Sequence, residues 1–177
     1  MIMVKPHFYD AFRCTASACA DNCCIGWEID IDRESFREYQ SLPGPVGEAV
    51  RAGIAGGSAP HFRLRPDGRC ALLNEHNLCR IQLAGARLCA VCAEHPRFYE
   101  WYGARMEAGL GLCCEEACRL LLADPAPLRF VSQQDGAPEE PFAGDAALLE
   151  RLTAERERFY ALLQDRSRPV FSRLRAL

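Results

Sequence analysis

Three short helices are predicted from the pattern of apolar residues and from the residues at its ends. Their ranges are 33–42, 46–55 and 115–124. Asp32 precedes the first helix as an N-cap, and Pro45 opens the second, which Gly56 and Gly57 then end. Pro125 stops the third helix, because the residue before a proline disfavours the helical conformation.

A longer apolar stripe occupies the end of the chain, over residues 145–177. The side chains on this stripe, at helical spacing, are Leu148, Leu149, Leu152, Phe159, Leu162 and Leu163. Such a stripe is typical of core packing, so we expect an amphipathic helix packed on the rest of the protein. The last residues, FSRLRAL, continue the apolar period. We expect this segment to be the start of a truncated C-terminal helical region.

Apolar residues alternate with polar ones in two places, which predicts β-hairpins. The first hairpin turns at residues 66–68, between Phe62 and Cys70. The second joins residues 98–102 to residues 105–112. The pattern therefore predicts a mainly α fold of the α+β class, with small β-hairpins and an amphipathic C-terminal helix.

A polar stretch without periodicity divides the chain. Residues 131–144 read VSQQDGAPEEPFAG and are rich in proline and glycine, which predicts a linker. We therefore predict a cysteine-rich module over residues 1–130 and a helical segment over residues 145–177.

Composition is typical of a globular, water-soluble chain. Of its 177 residues, 49% are hydrophobic and 25% are charged, as in domains that bury a core without cross-links. The formal net charge of −3 gives no electrostatic basis for binding nucleic acid or an anionic membrane. The first residues lack a signal-peptide pattern, and no apolar run has the length of a membrane span. We therefore expect a cytoplasmic protein.

Cysteine is the unusual residue, with 11 copies in three groups. The groups are Cys14, Cys19, Cys23 and Cys24; Cys70, Cys79, Cys89 and Cys92; and Cys113, Cys114 and Cys118. Short spacings allow several thiolates to converge on one ion, and thiolates are soft ligands that favour zinc or iron–sulfur clusters. In a reducing compartment, clustered cysteines bind metal more often than they form disulfides. The spacing thus predicts a module centred on a metal, and it leaves zinc and iron–sulfur both open.

No familiar catalytic motif accompanies the cysteines. The sequence lacks the HExxH, G-x-S-x-G, Walker A and G-x-G-x-x-G patterns. Among the histidines, His76 and His95 lie near cysteines in the sequence. We interpret both as surface residues, with metal ligation as the alternative. The residues alone therefore predict a metal site without a catalytic dyad or triad.

Four segments, in a fixed order, combine cysteines with other distinctive residues. They read CTASACADNCCIGWEIDID, CALLNEHNLCRI, CAEHPR and LCCEEACRLLLADP, and they span residues 6–128 together with their surroundings. Landmarks other than cysteine include Gly26, Trp27 and Pro96. This order resembles the flagellin lysine N-methylases, which share their cysteine pattern with a broader group of zinc- or iron-chelating cysteine-rich domains.

The resemblance implies a ligand set, a cofactor and a reaction. The cysteines that correspond to the family's eight are Cys14, Cys19, Cys23, Cys24, Cys70, Cys79, Cys92 and Cys114. Members are implied to hold a 4Fe-4S cluster, with zinc as the alternative, and to transfer methyl groups from S-adenosylmethionine to lysines of flagellin or another protein. Cys89, Cys113 and Cys118 are then extra, and we expect them to be small buried residues. His95 stands where the family usually has an aromatic residue, and family members are longer than this chain.

The implied reaction needs a lysine amine without its extra proton, because only the neutral amine attacks a methyl group. Carboxylates near the cysteines in the sequence are candidates to accept that proton: Asp30, Asp32, Glu115 and Glu116. Helix capping explains Asp32 and Glu115 equally well. We therefore predict a protein-lysine N-methyltransferase, with a non-catalytic zinc- or iron-chelating module as the alternative.

Overall fold

The computed structural model describes residues 1–20, 22–134, 136 and 141–177. These residues form two compact units. The sheet unit contains Met1–Asp10, Tyr99–Gly109 and Asp124–Leu177, and the cysteine unit contains Ala11–Phe98 and Leu110–Ala123. Within the described ranges, no helix is both long and apolar enough to cross a membrane.

Short strands and helices follow one another along the chain. The strands are β1 (Ile2–Pro6), β2 (Ile29–Asp30), β3 (Ile54–Ala55), β4 (His61–Phe62), β5 (Arg97–Tyr102), β6 (Arg105–Leu110) and β7 (Phe130–Gln134). The helices are α1 (Arg33–Ser41), α2 (Gly44–Gly53), α3 (Arg80–Leu83), α4 (Ala90–Glu94), α5 (Glu115–Ala123), α6 (Ala146–Gln164) and α7 (Val170–Leu174).

The larger sheet joins segments from opposite parts of the chain. Its strand order is β5-β6-β1-β7, with β1 parallel to β6 and antiparallel to β7. Ile2 in β1 lies opposite Arg105 on one side and Gln134 on the other. The first strand of the chain is therefore an inner strand of this sheet.

The smaller sheet lies in the cysteine unit and has the order β2-β4-β3, with antiparallel pairing. Ile29 of β2 and Phe62 of β4 are each 2% exposed, and Tyr39 of α1 is 1% exposed. These side chains pack in one hydrophobic core with Val50 of α2. The same core includes two buried cysteines, so it supports the loops that carry the other cysteines.

The prediction of a mainly α, metal-centred module is wrong. The described residues form a mixed α+β fold with one four-stranded and one three-stranded sheet. Sequence analysis did not predict β1 or β7, and β7 occupies the start of the predicted linker. Residues 135 and 137–140 of that linker lie outside the described residues. β1 and β7 pair through their backbones across most of the chain length, and such pairing leaves little local trace in the sequence.

The predicted N-cap of the first helix is confirmed. Asp32 caps α1, since its Oδ1 accepts a hydrogen bond from Ser35 N at 3.0 Å. Asp145 caps α6 in the same way, accepting from Leu148 N at 3.0 Å. The second predicted helix is confirmed as α2, although it ends at Gly53 because the next two residues form β3.

One predicted hairpin is confirmed, and the other is reduced to a single bridge. β5 and β6 are neighbours across Gly103, whose φ of 64° favours glycine. Around the turn at residues 66–68, only Leu64 and Cys70 form an isolated bridge in the described residues. Phe62 instead pairs with β2 and β3.

The C-terminal helix α6 is confirmed, but it buries none of its described side chains. The exposed members of its apolar stripe are Leu148, Leu152, Phe159 and Leu163. Other residues of α6 attach it to strands β6 and β7 of the larger sheet. Arg156 donates two hydrogen bonds to Glu107 at 2.6 and 2.7 Å, and Tyr160 stacks on Phe130 with ring centres 5.1 Å apart. The expected core packing of the stripe is therefore wrong for these residues.

Candidate metal centre

Seven of the eight cysteines that match the family pattern line one cavity in the cysteine unit. The cavity has a volume of about 370 Å³. These cysteines are Cys14, Cys19, Cys23, Cys24, Cys79, Cys92 and Cys114. All three cysteine groups of the sequence therefore contribute to the same wall.

The first cysteine group lies on irregular backbone over residues 13–20 and 22–28, with a 3-10 turn at Ala16–Ala18. Two of its cysteines are exposed and two are half-buried. Asn22 holds the end of this loop: its Oδ1 accepts from Cys24 N at 2.9 Å, and its Nδ2 donates to Asn77 O at 2.9 Å. Side-chain hydrogen bonds therefore position a loop that lacks helix or strand around its cysteines.

Glu115 ties the loop to the start of α5. Its Oε2 accepts hydrogen bonds from Ala20 N at 2.7 Å and from Cys19 Sγ at 3.4 Å. Glu115 follows Cys114 directly in the sequence. The contact therefore brings the first and third cysteine groups together, and a negative side chain in the first turn also suits the helix dipole.

Cys70 lies in the core behind the cavity. It is 5% exposed, and its backbone N donates to Cys24 O at 2.8 Å. Burial raises the pKa of the Cys70 thiol. Within the described part of the chain, Cys70 is the member of the family pattern that does not line the cavity.

Asp32 holds the helix that carries Cys92. While its Oδ1 caps α1, its Oδ2 accepts a hydrogen bond from Ala90 N at 2.8 Å, at the start of α4. The backbone donors of Ser35 and Ala90 lower the pKa of Asp32 to about 2. One carboxylate therefore caps two helices, and capping explains this residue better than proton transfer does.

Cys24 and Cys92 are thiols whose pKa values lie well above the ordinary range. The largest cause for Cys24 is its hydrogen bond with Cys23, followed by burial. For Cys92, the largest cause is its hydrogen bond with Cys89, again followed by burial. Both thiols are therefore protonated at neutral pH, and metal binding would require them to release their protons.

The cysteines share a cavity without forming a finished ligand set. Across residues 1–20, 22–134, 136 and 141–177, no three His, Cys, Asp or Glu side chains already have an arrangement that holds a metal ion. The donor chemistry nevertheless fits a thiolate-bound centre, because seven thiols line the cavity. Metal binding would therefore require the loops to draw closer together.

The same wall contains two arginines to which the sequence assigned no role. Arg13 Nη1 donates to Phe12 O at 2.6 Å, and the Arg97 guanidinium lies 5.0 Å from the centre of the Phe12 ring. Both arginines line the cavity, where their positive charge would offset the negative charge of metal-bound thiolates. Their signal in the sequence is their position, since Arg13 directly precedes Cys14 and Arg97 ends the segment CAEHPR.

His95 differs most from its interpretation as a surface residue. Its Nε2 is buried and has no hydrogen-bond partner in the described residues, and burial lowers the pKa of its ring. The ring lies beside Trp27 with centres 5.9 Å apart, and Trp27 Nε1 donates to Cys23 O at 2.7 Å. Because His95 is half-buried, the interpretation holds only in part for it, whereas it is confirmed for His76, whose side chain is 74% exposed.

The three cysteines outside the family pattern differ in burial. Cys89 is fully buried, as predicted. Cys118 is partly buried and donates through Sγ to Leu112 O at 3.0 Å. Cys113 is exposed, so the expectation of a small buried residue is wrong there.

The carboxylates considered as proton acceptors have different surroundings. Asp30 is exposed on β2, and Glu115 accepts the hydrogen bonds of the loop. Of Asp30, Glu115 and Glu116, only Glu116 lines the cavity. Arg119 donates two hydrogen bonds of 2.6 Å to Glu116 and thereby lowers the pKa of that carboxyl. A lowered pKa makes Glu116 a weaker base, and the catalytic role of all three stays a prediction.

Comparison with known proteins identifies relatives of two lengths. The chain is 29% identical over 132 residues to the flagellar biosynthetic protein FliU of Salmonella muenchen. This match covers 70% of this chain and 78% of that protein. It is also 29% identical over 139 residues to a lysine-N-methylase of Salmonella typhimurium and to another of Salmonella choleraesuis.

These lysine-N-methylases extend well beyond the matched region. The match covers 70% of this chain but 33% of each of them, so the chain spans about a third of their length. No family model and no solved structure matches the chain. The similarity in sequence supports a relationship to the flagellin lysine N-methylase family.

Proposed function

We propose that this chain is the metal-binding part of a protein-lysine N-methyltransferase that uses S-adenosylmethionine and acts on flagellin or another lysine-bearing protein. One observation carries the proposal: seven cysteines of the family pattern line one cavity, in a chain related to lysine-N-methylases. The cysteine groups are far apart in sequence, and a shared metal centre is the chemistry that would use them together.

A 4Fe-4S cluster is the metal centre that we propose, with zinc as the alternative. Its ligands would come from the cavity cysteines, with Cys70 in the adjoining core. When bound, such a cluster supplies iron sites with Lewis acidity and closes the cysteine loops around one centre. Arg13 and Arg97 would balance the negative charge of the thiolates.

The proposed reaction forms a bond between a lysine Nζ and the donor methyl carbon, and it breaks the bond between that carbon and the sulfonium sulfur. The lysine must first lose a proton, because its ordinary pKa of about 10.4 keeps it charged at neutral pH. Apolar side chains of the cavity wall, such as Phe12, Trp27 and Leu78, would favour this loss by desolvating the amine. We propose that desolvation, with the proton leaving to water, takes the place of a dedicated carboxylate base.

A non-catalytic metal-binding module is the second candidate function. The observation that favours it is the extent of the match, since the chain corresponds to 33% of each lysine-N-methylase. In that case the same cysteines would bind zinc or iron, and transfer of the methyl group would need residues outside the matched region.

The test begins with metal. Protein purified without oxygen is analysed for iron, acid-labile sulfide and zinc, and we expect iron and sulfide in equal amounts. The loaded protein is then incubated with S-adenosylmethionine and flagellin, and methyl-lysine is measured by mass spectrometry. Iron and sulfide without methyl-lysine would favour the non-catalytic module, while zinc without sulfide would reject the cluster.

A further inference from the structure

We propose that the imidazole of His95 is a nitrogen ligand of the metal centre and binds through Nε2. This inference rests on the proposed metal centre, and it adds a donor of a different chemical class to the eight cysteines of the family pattern. It also explains why a histidine, rather than an apolar aromatic residue, occupies this position.

Cys92 and His95 share one helical turn. They are three residues apart at the end of α4, and the backbone N of His95 donates to Val91 O at 3.0 Å, so the helical turn extends to the histidine. Residues at this spacing lie on the same side of a helix. Both side chains line the cavity, so α4 and the residue that ends it offer a thiol and an imidazole to the same centre.

The other side of the His95 ring leads to the first cysteine group. Its neighbour Trp27, with ring centres 5.9 Å apart, donates from Nε1 to Cys23 O at 2.7 Å. Through Trp27, the His95 ring is therefore connected to the segment that carries Cys23 and Cys24. A ligand at this place would join two cysteine groups that lie far apart in the sequence.

The Nε2 atom of His95 makes no hydrogen bond within the described residues. It is buried, and no hydrogen-bond partner satisfies it there. A buried polar nitrogen without a partner is unfavourable, and coordination of a metal would satisfy it. If packing beside Trp27 were the only role of the ring, a phenylalanine would serve without this unsatisfied nitrogen.

The experiment compares three forms of the full chain: the wild type, His95→Phe and His76→Phe. The phenylalanine at position 95 keeps an aromatic ring beside Trp27. His76→Phe is the matched control, because His76 also lines the cavity but has an exposed side chain. Each protein is labelled with ¹⁵N-histidine, loaded with iron and sulfide without oxygen, reduced, and studied by pulsed electron paramagnetic resonance.

We expect the wild type and His76→Phe to show hyperfine coupling from a histidine nitrogen, and His95→Phe to lose it. Cobalt(II), titrated against a chelator, should bind His95→Phe about 10-fold or more weakly than the other two. The cobalt measurement also applies if zinc is the natural metal. His95→Gln, which cannot coordinate as an imidazole, should repeat both results and guards against a folding defect in the first variant.

The outcomes separate this inference from the proposed function. Iron and sulfide in the wild type without histidine coupling, or coupling and cobalt affinity unchanged in His95→Phe, would overturn the role of His95 alone. A wild type that binds neither iron nor cobalt would overturn the metal centre and this ligand with it.

Discussion

Lys5 and Asp10 form an ion pair, with Nζ 2.9 Å from Oδ1. Lys5 is 4% exposed, and its Nζ also donates to Gln133 Oε1 at 2.8 Å. The chain contains no other lysine. A protein proposed to act on lysine side chains therefore keeps its own lysine amine inside the sheet unit, bound by two acceptors.

We expect Lys5 to resist amine-modifying reagents in the folded protein. Its buried amine is engaged by Asp10 and Gln133, and a reagent must displace both. Peptide mass spectrometry after brief treatment with acetic anhydride measures the modified fraction, and the same treatment in urea shows the reactivity of the unfolded chain. Asp10→Asn should raise modification in the folded state. Equal modification of Lys5 with and without urea would contradict the buried pair.

Asp32→Ala should lower the free energy of unfolding by about 2 kcal/mol, because each helix cap contributes about 1 kcal/mol and this residue caps both α1 and α4. Asp32→Asn keeps one carbonyl oxygen and should lose about half as much. Urea unfolding of the metal-free protein provides the measurement. Asp30→Ala, at an exposed position two residues earlier, is the control and should change the stability by less than about 0.5 kcal/mol.

The contribution of Asp32 should depend on pH in a defined window. Its pKa is lowered to about 2 in the folded protein, whereas an unfolded aspartate has a pKa of about 3.9. The ionised carboxylate therefore stabilises the fold fully above about pH 4, and this stabilisation is lost as the pH falls through about 2. The difference in unfolding free energy between wild type and Asp32→Asn should narrow from pH 5 to pH 2. A difference that stays constant over this range would contradict the lowered pKa.

Sequence analysis predicted the parts of the fold that depend on neighbouring residues. The cap at Asp32 acts within three residues, so the sequence alone locates the start of α1. The register of Ile2 opposite Gln134 depends instead on residues at the two ends of the chain. This register is determined by the complete fold and not by neighbouring residues. The larger sheet was therefore not predictable from the local sequence pattern.

The candidate site shows the same division. The resemblance to the family implied eight cysteines, and seven of them line one cavity. The sequence did not indicate that Cys70 lies in the core behind that cavity or that the Nε2 of His95 is buried. Burial of a particular atom depends on packing from several segments, which residue spacing does not encode.

Glu115→Ala should loosen the loop of the first cysteine group. The carboxylate accepts from Ala20 N and Cys19 Sγ, and the substitution removes both hydrogen bonds. Hydrogen exchange measured by mass spectrometry should show faster exchange in peptides from residues 13–24 and unchanged exchange in peptides from β1. Glu48→Ala, at an exposed glutamate of α2, is the control. Equal exchange of the loop in both variants would show that Glu115 does not hold it.

Metal should stabilise the cysteine unit strongly, because its ligands come from segments that are far apart in the sequence. By analogy with structural zinc, metal binding should raise the free energy of unfolding by on the order of 10 kcal/mol. Cys24→Ser removes a cavity thiol. This substitution should abolish most of the difference in unfolding temperature between the metal-loaded and the metal-free protein. Cys113→Ser changes an exposed thiol outside the family pattern and should keep both the metal content and that difference. Identical metal content in the two variants would count against Cys24 as a ligand, whereas loss of metal from Cys113→Ser alone would move the centre toward the third cysteine group.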